Sequence, residues 1–248
     1  MACWKKGRRD SKQKVNRYMD QRLSLRTRAA RRLVMTLIFL AALLFVPAGS
    51  LRFWQGWLFL ALTAGFWTLF FVDLVQHDPQ LLERRLQNKE AEPEQRLFQR
   101  LFVAIVFFSF ILAGLDFRFG WSRICGRPVP PALVMAAEVG VATGYWLVFW
   151  TMKTNSFAAS TIQVEAEQRV VDGGPYALVR HPMYTGMAVT ALAAPLALGS
   201  YVALPVVALM VPLLIYRLIH EERTLRRDLP GYGEYCERTR FRLVPWMW

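Results

Sequence analysis

The stretch "HPMYTGMAVTALAAPLALGSYVALPVVALMVPLLIY", residues 181–216, runs for 36 residues without an Asp, Glu, Lys or Arg. A helix crossing a bilayer needs about 20 apolar residues, because every backbone N–H and C=O must find its partner inside the helix once water is gone. At about 1.5 Å of rise per residue the stretch is too long for a single span. Gly199, Ser200 and Pro205 interrupt its middle, where such residues break helices. It reads as two shorter antiparallel helices, a hairpin sunk into a membrane.

Four further blocks, 33–48, 53–75, 98–117 and 132–152, meet or approach the spanning length. Pro47 and Gly49 break the chain between the first two, leaving only a few residues for the connection, so these two form a tight hairpin. With 54% apolar residues and a positive mean hydropathy of 0.23, the chain is expected to be all-α: a polytopic transmembrane helical bundle of about six membrane helices. Three regions follow: a basic tail over 1–32, four membrane helices over 33–152, and a region over 153–248 that holds the hairpin and its polar flanks.

The net charge of +13 is concentrated rather than spread, since residues 1–32 carry twelve Lys/Arg against Asp10 and Asp20. Such a tail suits the positive-inside bias and the attraction of anionic headgroups rather than nucleic acid. It lacks the small-residue cleavage site of a signal peptide, so the first apolar block is expected to stay as a span. Lys/Arg placement sets segments 76–97, 153–180 and 217–248 on the same side as the tail, which predicts a multi-pass protein with both termini cytoplasmic. Cys3, Cys125 and Cys236 are dispersed, and His77, His181 and His220 show no ligand spacing, so no metal site is expected.

Two polar clusters flank the hairpin. Pro182 suits the first position of a helix, and a helix start preceded by Arg180 and His181 suits an anion, with the rings of Tyr176, His181 and Tyr184 available to a flat or cationic group. At the far end of the hairpin, Arg217 and Glu221 stand four apart on one helical face, with Glu222 beside them. Each cluster alone also reads as an ordinary interfacial one, with Tyr in the headgroup belt and ions paired at a helix end. Glu138, inside the fourth block, is either functional or paired with an Arg such as Arg118 or Arg123. Gly140-x-x-x-Gly144 permits close helix packing.

The order G-x-Y-x-x-x-R-H-P-x-Y-x-G, from Gly174 through Tyr176, Arg180, His181, Pro182 and Tyr184 to Gly186, continues to Arg217, Glu221-Glu222, Gly231-Tyr232, Tyr235 and Arg242-x-x-Pro245. This arrangement resembles the isoprenylcysteine carboxyl methyltransferase family of membrane enzymes and its phospholipid methyltransferase relatives. The resemblance covers about residues 155–245. It implies an enzyme using S-adenosyl-L-methionine, held between the last membrane helices and the flanking cytoplasmic segments. Gln163, Gln168, Arg169, Val170, Val171, Tyr176, His181, Pro182, Met183, Tyr184 and Glu221 correspond to cofactor contacts in that family. Arg217 corresponds to the substrate-facing residue, and it and Glu221 are the implied catalytic pair. The implied partners are membrane lipids and a lipophilic or lipidated methyl acceptor, with no nucleic acid and no metal. A sterol-type reductase binding a nicotinamide cofactor, whose relatives carry a similar R-H-P-x-Y-x-G, and a non-catalytic membrane scaffold are the alternatives.

Overall fold

The computed structural model of the chain describes residues 26–77, 82–83, 93–124, 128–155 and 169–248. Among them the regular structure is entirely helical. Helix α1 (Arg26–Ala48) is followed by α2 (Trp54–His77), α3 (Pro93–Phe119), the single turn α4 (Trp121–Ile124) and α5 (Pro131–Thr154). A 3-10 turn (Gly174–Ala177) leads to α6 (Pro182–Ala197), α7 (Leu204–Ala208), α8 (Met210–Asp228) and the short α9 (Tyr232–Arg238).

α1 and α2 make the expected hairpin. Gly49 adopts φ 60° and its N–H closes onto the carbonyl of Phe45 at 3.0 Å, a left-handed helix end that a side chain would strain. Five helices are long and apolar enough to cross a bilayer: α1, α2, α3, α5 and the rod Leu204–Asp228 formed by α7 and α8 together. The chain is an integral membrane protein. The rod lapses at Leu209 because Pro212 has no N–H to offer the carbonyl of Ala208 four residues earlier. The sixth expected helix, α6, has only 16 residues, about 24 Å of rise against a hydrocarbon layer of about 30 Å. Gly199, at φ 71°, turns the chain back after it.

α6 is held by backbone contact with α5 rather than by length. A Cβ at Gly144 would lie 2.2 Å from Thr190 Oγ1 and 2.7 Å from the Gly186 carbonyl, and one at Gly186 would lie 2.7 Å from the Gly144 carbonyl. Only glycine lets the two helices approach this closely, which is the packing that the small-residue spacing predicts. At the far end of the bundle, the buried carboxylate of Asp116 accepts the N–H of Ser122 at 2.7 Å and the hydroxyls of Ser122 and Ser200 at 2.5 Å each. Ser122 and Ser200 in turn accept the N–H groups of Tyr201 and Ala203. A charged group buried at a span's end is thereby fully hydrogen-bonded, and it pins the turn after α6 to the end of α3.

Glu138 is 3% exposed and neither carboxyl oxygen has a hydrogen-bond partner. The pairing with Arg118 or Arg123 that the sequence allows is not made; Arg118 instead stacks on Phe119 at 5.5 Å. Between α1, α2, α3, α5 and α6 lies an apolar chamber of about 590 Å³, with Phe59, Phe70, Phe102, Tyr145, Met187 and Met210 among its walls. Its volume is that of a small-molecule or lipid-chain site.

Candidate functional site

The site lies at the end of the bundle where α3 and α6 meet α8. Lys153 at the end of α5 pairs with Asp73 of α2 at 3.0 Å and marks the same end. Gly174, at φ 58°, starts the 3-10 turn where a Cβ would come within 3.0 Å of Thr154 Oγ1. The chain then passes through Arg180 and His181, whose N–H groups bond the carbonyls of Phe241 and Arg242 at 2.9 and 3.0 Å. These two bonds lay segment 239–243 across the start of α6, and Thr185 Oγ1 adds a third to the carbonyl of Leu243 at 2.7 Å. Pro182 then opens α6, where its missing N–H costs nothing.

Tyr184, in the first turn of the helix, joins two charged residues of α8. Its hydroxyl donates to Glu221 Oε2 at 2.5 Å and accepts from Arg217 Nε at 2.9 Å. Arg217 is buried, with its guanidinium 4.8 Å above the ring of Phe98. The Phe98 ring lies 5.9 Å from that of Phe102, which lines the chamber. The His181 ring stacks on Tyr184 at 5.8 Å, and its Nδ1 lies 4.0 Å from Glu221 Oε1. Glu221 keeps a quarter of its side chain exposed.

The adjacent acid has a different role. Glu222 is buried and pairs with Arg180 Nη1 and Arg242 Nε at 3.0 Å each, while His181 Nε2 stands 3.5 Å away. Arg180 also donates to the carbonyls of Thr239 and Cys236, at 2.7 and 2.9 Å. Glu222 is therefore a node that ties α8 to the loop before α6 and to segment 239–243. Breaking such a pair from one side leaves buried charge uncompensated.

A third group of residues surrounds α9. Tyr235 donates to the carbonyl of Tyr176 at 2.8 Å, and Asn155 Nδ2 donates to the Tyr176 hydroxyl at 3.1 Å. Val170 packs with Tyr176 against Tyr232, Tyr235 and Cys236. The Tyr232 hydroxyl is buried without a hydrogen-bond partner, and burial, reinforced by the nearby charge of Glu222 and Glu221, holds its pKa above the ordinary phenol value. It is a donor awaiting an acceptor, whereas the buried His181 Nε2 already faces the Glu222 carboxylate at 3.5 Å.

Of the residues singled out from sequence, His181, Pro182, Tyr184, Arg217 and Glu221 thus come together. Met183 is half-buried against Leu74 and Met152, Val171 is half-buried, and Arg169 is exposed. Val170 and Tyr176 belong to the α9 group. Gln163 and Gln168 lie outside the described residues. Sequence reasoning passed over Arg242 and the distinct role of Glu222, although both stand in the motif order. Chemically, the arrangement offers a carboxylate for an ammonium, stacked aromatic faces for a heterocycle or a sulfonium, and one orphaned donor, the Tyr232 hydroxyl, for a polar edge. Among the described residues, no group of three or more His, Cys, Asp or Glu side chains gathers to hold a metal ion.

Residues 133–230, which carry part of this geometry, match the phospholipid methyltransferase family. That is the family of isoprenylcysteine carboxyl methyltransferase-like membrane methyltransferases, and the match covers less than half of the chain. The matched range begins in α5 and ends just past α8, so it contains Tyr184, Arg217 and Glu221. Over 145 residues, 56% of this chain, it is 32% identical to the cobalt-zinc-cadmium resistance protein CzcN of Cupriavidus metallidurans (strain ATCC 43123 / DSM 2839 / NBRC 102507 / CH34). The match spans 61% of that relative's length.

Proposed function

We propose that the chain is a membrane-integral S-adenosyl-L-methionine-dependent methyltransferase, similar to isoprenylcysteine carboxyl methyltransferases, acting on a lipophilic or lipidated acceptor at an anionic oxygen such as a carboxylate. The observation that carries this reading is the Tyr184 hydroxyl bridging Glu221 and Arg217. One aromatic residue thereby sits between an acid suited to a cationic ligand and a guanidinium suited to an anionic one.

The residues present fit the cofactor. Glu221 is a partly exposed carboxylate beside the His181–Tyr184 stack; it would hold the ammonium, and the stacked rings would wall the flat base. The unpartnered Tyr232 hydroxyl is a donor for one of its polar edges. When bound, S-adenosyl-L-methionine supplies an electrophilic methyl group on a positively charged sulfur. Little acid–base help is then required of the protein. Its task is alignment and exclusion of water, effects of up to about 7–11 kcal/mol.

Arg217 suits the acceptor side. Its charge is buried, supported by the Phe98 face and by Tyr184, and would grip an anionic oxygen by a charge-assisted bond. The Phe98–Phe102 pair connects it to the apolar chamber, which is suited to an acceptor's hydrocarbon. The site end faces the cytoplasm on the positive-inside argument, with the chain's ends on that side.

Calorimetric titration of the purified chain with S-adenosylhomocysteine tests the cofactor side, and saturable one-site binding is expected. Mass spectrometry of membrane lipids after incubation with a heavy-methyl cofactor tests the acceptor side, where a label on a lipid-soluble product is expected. Absence of any binding of S-adenosylhomocysteine to folded protein defeats the reading.

A further inference from the structure

The last described segment, beyond α9, ends in "RLVPWMW", residues 242–248. It closes on itself: the N–H groups of Arg242 and Leu243 bond the Trp248 carbonyl at 2.7 and 3.3 Å, and those of Met247 and Trp248 return to Val244 at 3.2 and 3.4 Å. Arg242 stacks its guanidinium on the Trp248 ring at 4.8 Å while its Nε holds Glu222. The closure turns the remaining apolar side chains outward, leaving Trp246 87% and Met247 81% exposed. Trp246 also has φ 64°, the sole positive φ of a non-glycine residue among the described residues.

The level of this loop in the bundle says what covers it. Leu243, at its base, packs with Phe98 of α3, Tyr184 of α6 and Leu218 of α8. On α3 the outward apolar band begins at the same height, with Leu97 56% and Leu101 44% exposed. The loop therefore emerges where the lipid-facing surface starts, and Trp246 and Met247 continue that surface sideways. Exposed Arg238 and Arg240 lie just before it, on the headgroup side. Tryptophan with flanking cations is the composition of the membrane–water boundary.

We infer that the loop of residues 243–248 is a lipid-surface anchor, with Trp246 and Met247 inserted at the headgroup–acyl boundary. Because Phe241, Arg242 and Leu243 carry the three bonds to Arg180, His181 and Thr185, the anchor fixes the roof of the candidate site to the plane of the bilayer.

The test places an environment-sensitive fluorophore on Trp246→Cys, in the full chain with Cys3, Cys125 and Cys236 replaced by Ser, reconstituted into phosphatidylcholine–phosphatidylglycerol vesicles. A matching label on Glu237→Cys, on the exposed face of α9, is the control. The anchor predicts blue-shifted emission at 246, quenching by shallow nitroxide lipids more than by deep ones, and severalfold weaker quenching by aqueous iodide than at 237. Strong iodide quenching without lipid quenching at 246 overturns it, and so does protection from both quenchers, which would mean a second protein copy covers the loop. Should the cysteine-free chain fail to fold, Trp246→Phe in the native background gives the same information. It should lower the fraction of tryptophan emission quenched by lipids brominated near the headgroup, and an unchanged fraction refutes the anchor.

Discussion

Replacing Tyr184 by Phe removes one oxygen and keeps the ring that stacks on His181. That oxygen makes two charge-assisted bonds, donating to Glu221 at 2.5 Å and accepting from Arg217 at 2.9 Å. Glu221 loses a donor that fixes its carboxylate, and Arg217, four residues away on the same helical face, becomes free to swing onto it. A carboxylate paired with its own neighbour is a poorer partner for a ligand's ammonium. A hydrogen bond to a charged group contributes about 1.5–3 kcal/mol, which corresponds to about a 10- to 140-fold loss of affinity. Titration calorimetry of wild type and Tyr184→Phe with S-adenosylhomocysteine reads this directly, with thermal unfolding as a check on the fold. Adding Glu221→Gln completes a double-mutant cycle in which strong coupling between the two positions is expected. Affinity within about twofold of wild type, or additive losses in the cycle, would refute the claim that the Tyr184 hydroxyl organises Glu221 for a ligand.

Three further outcomes follow from the same geometry. Glu221→Ala should lose cofactor affinity, whereas Arg217→Ala should retain most of it and lose turnover; calorimetry beside a heavy-methyl transfer assay separates the two, and equal loss of binding in both overturns the division of roles. Gly144→Leu should destabilise the chain by about 1–3 kcal/mol or more through overpacking, because even its Cβ meets Thr190 Oγ1 at 2.2 Å; a lowered unfolding temperature in detergent checks this. Glu222→Ala should cost about 3–5 kcal/mol by leaving Arg180 unpaired in a buried position, and accelerated limited proteolysis of segment 239–248 should accompany the loss of stability.

The parts of the fold that were legible in the sequence are those the membrane dictates by length. Four apolar blocks, bounded by breakers such as Pro47 and Gly49, correspond to α1, α2, α3 and α5, because a bilayer offers no water to satisfy an interrupted backbone. The hairpin was legible only as a pair. Gly199 and Ser200 mark where the run turns, but nothing in it marks that a helix as short as α6 is tolerated, since that depends on backbone contact with α5 at Gly144 and Gly186, a tertiary fact. Asp116 was invisible for a similar reason. An acid at the end of a span looks like an ordinary boundary residue until Ser122, six residues on, and Ser200, in the turn after α6, are seen to close around it.

The candidate site shows where pattern ends and packing begins. A spacing of four on α8 puts Arg217 and Glu221 on one face, and that much needs no coordinates. The residue between them does not come from α8 at all: Tyr184 enters from α6, 33 positions before Arg217. Adjacent acids on a helix point about 100° apart, so Glu221 and Glu222 could not both face a ligand, and sequence alone leaves open which one does. The choice is made by Arg180 and Arg242, which lie on opposite sides of the hairpin in sequence and converge on Glu222 at 3.0 Å each. With Glu222 committed to holding the loop and segment 239–243 together, Glu221 alone keeps an exposed edge. The acid that stabilises the architecture is thus also what leaves its neighbour available for chemistry, and exchanging the two residues, Glu221→Gln against Glu222→Gln, should separate loss of ligand from loss of fold.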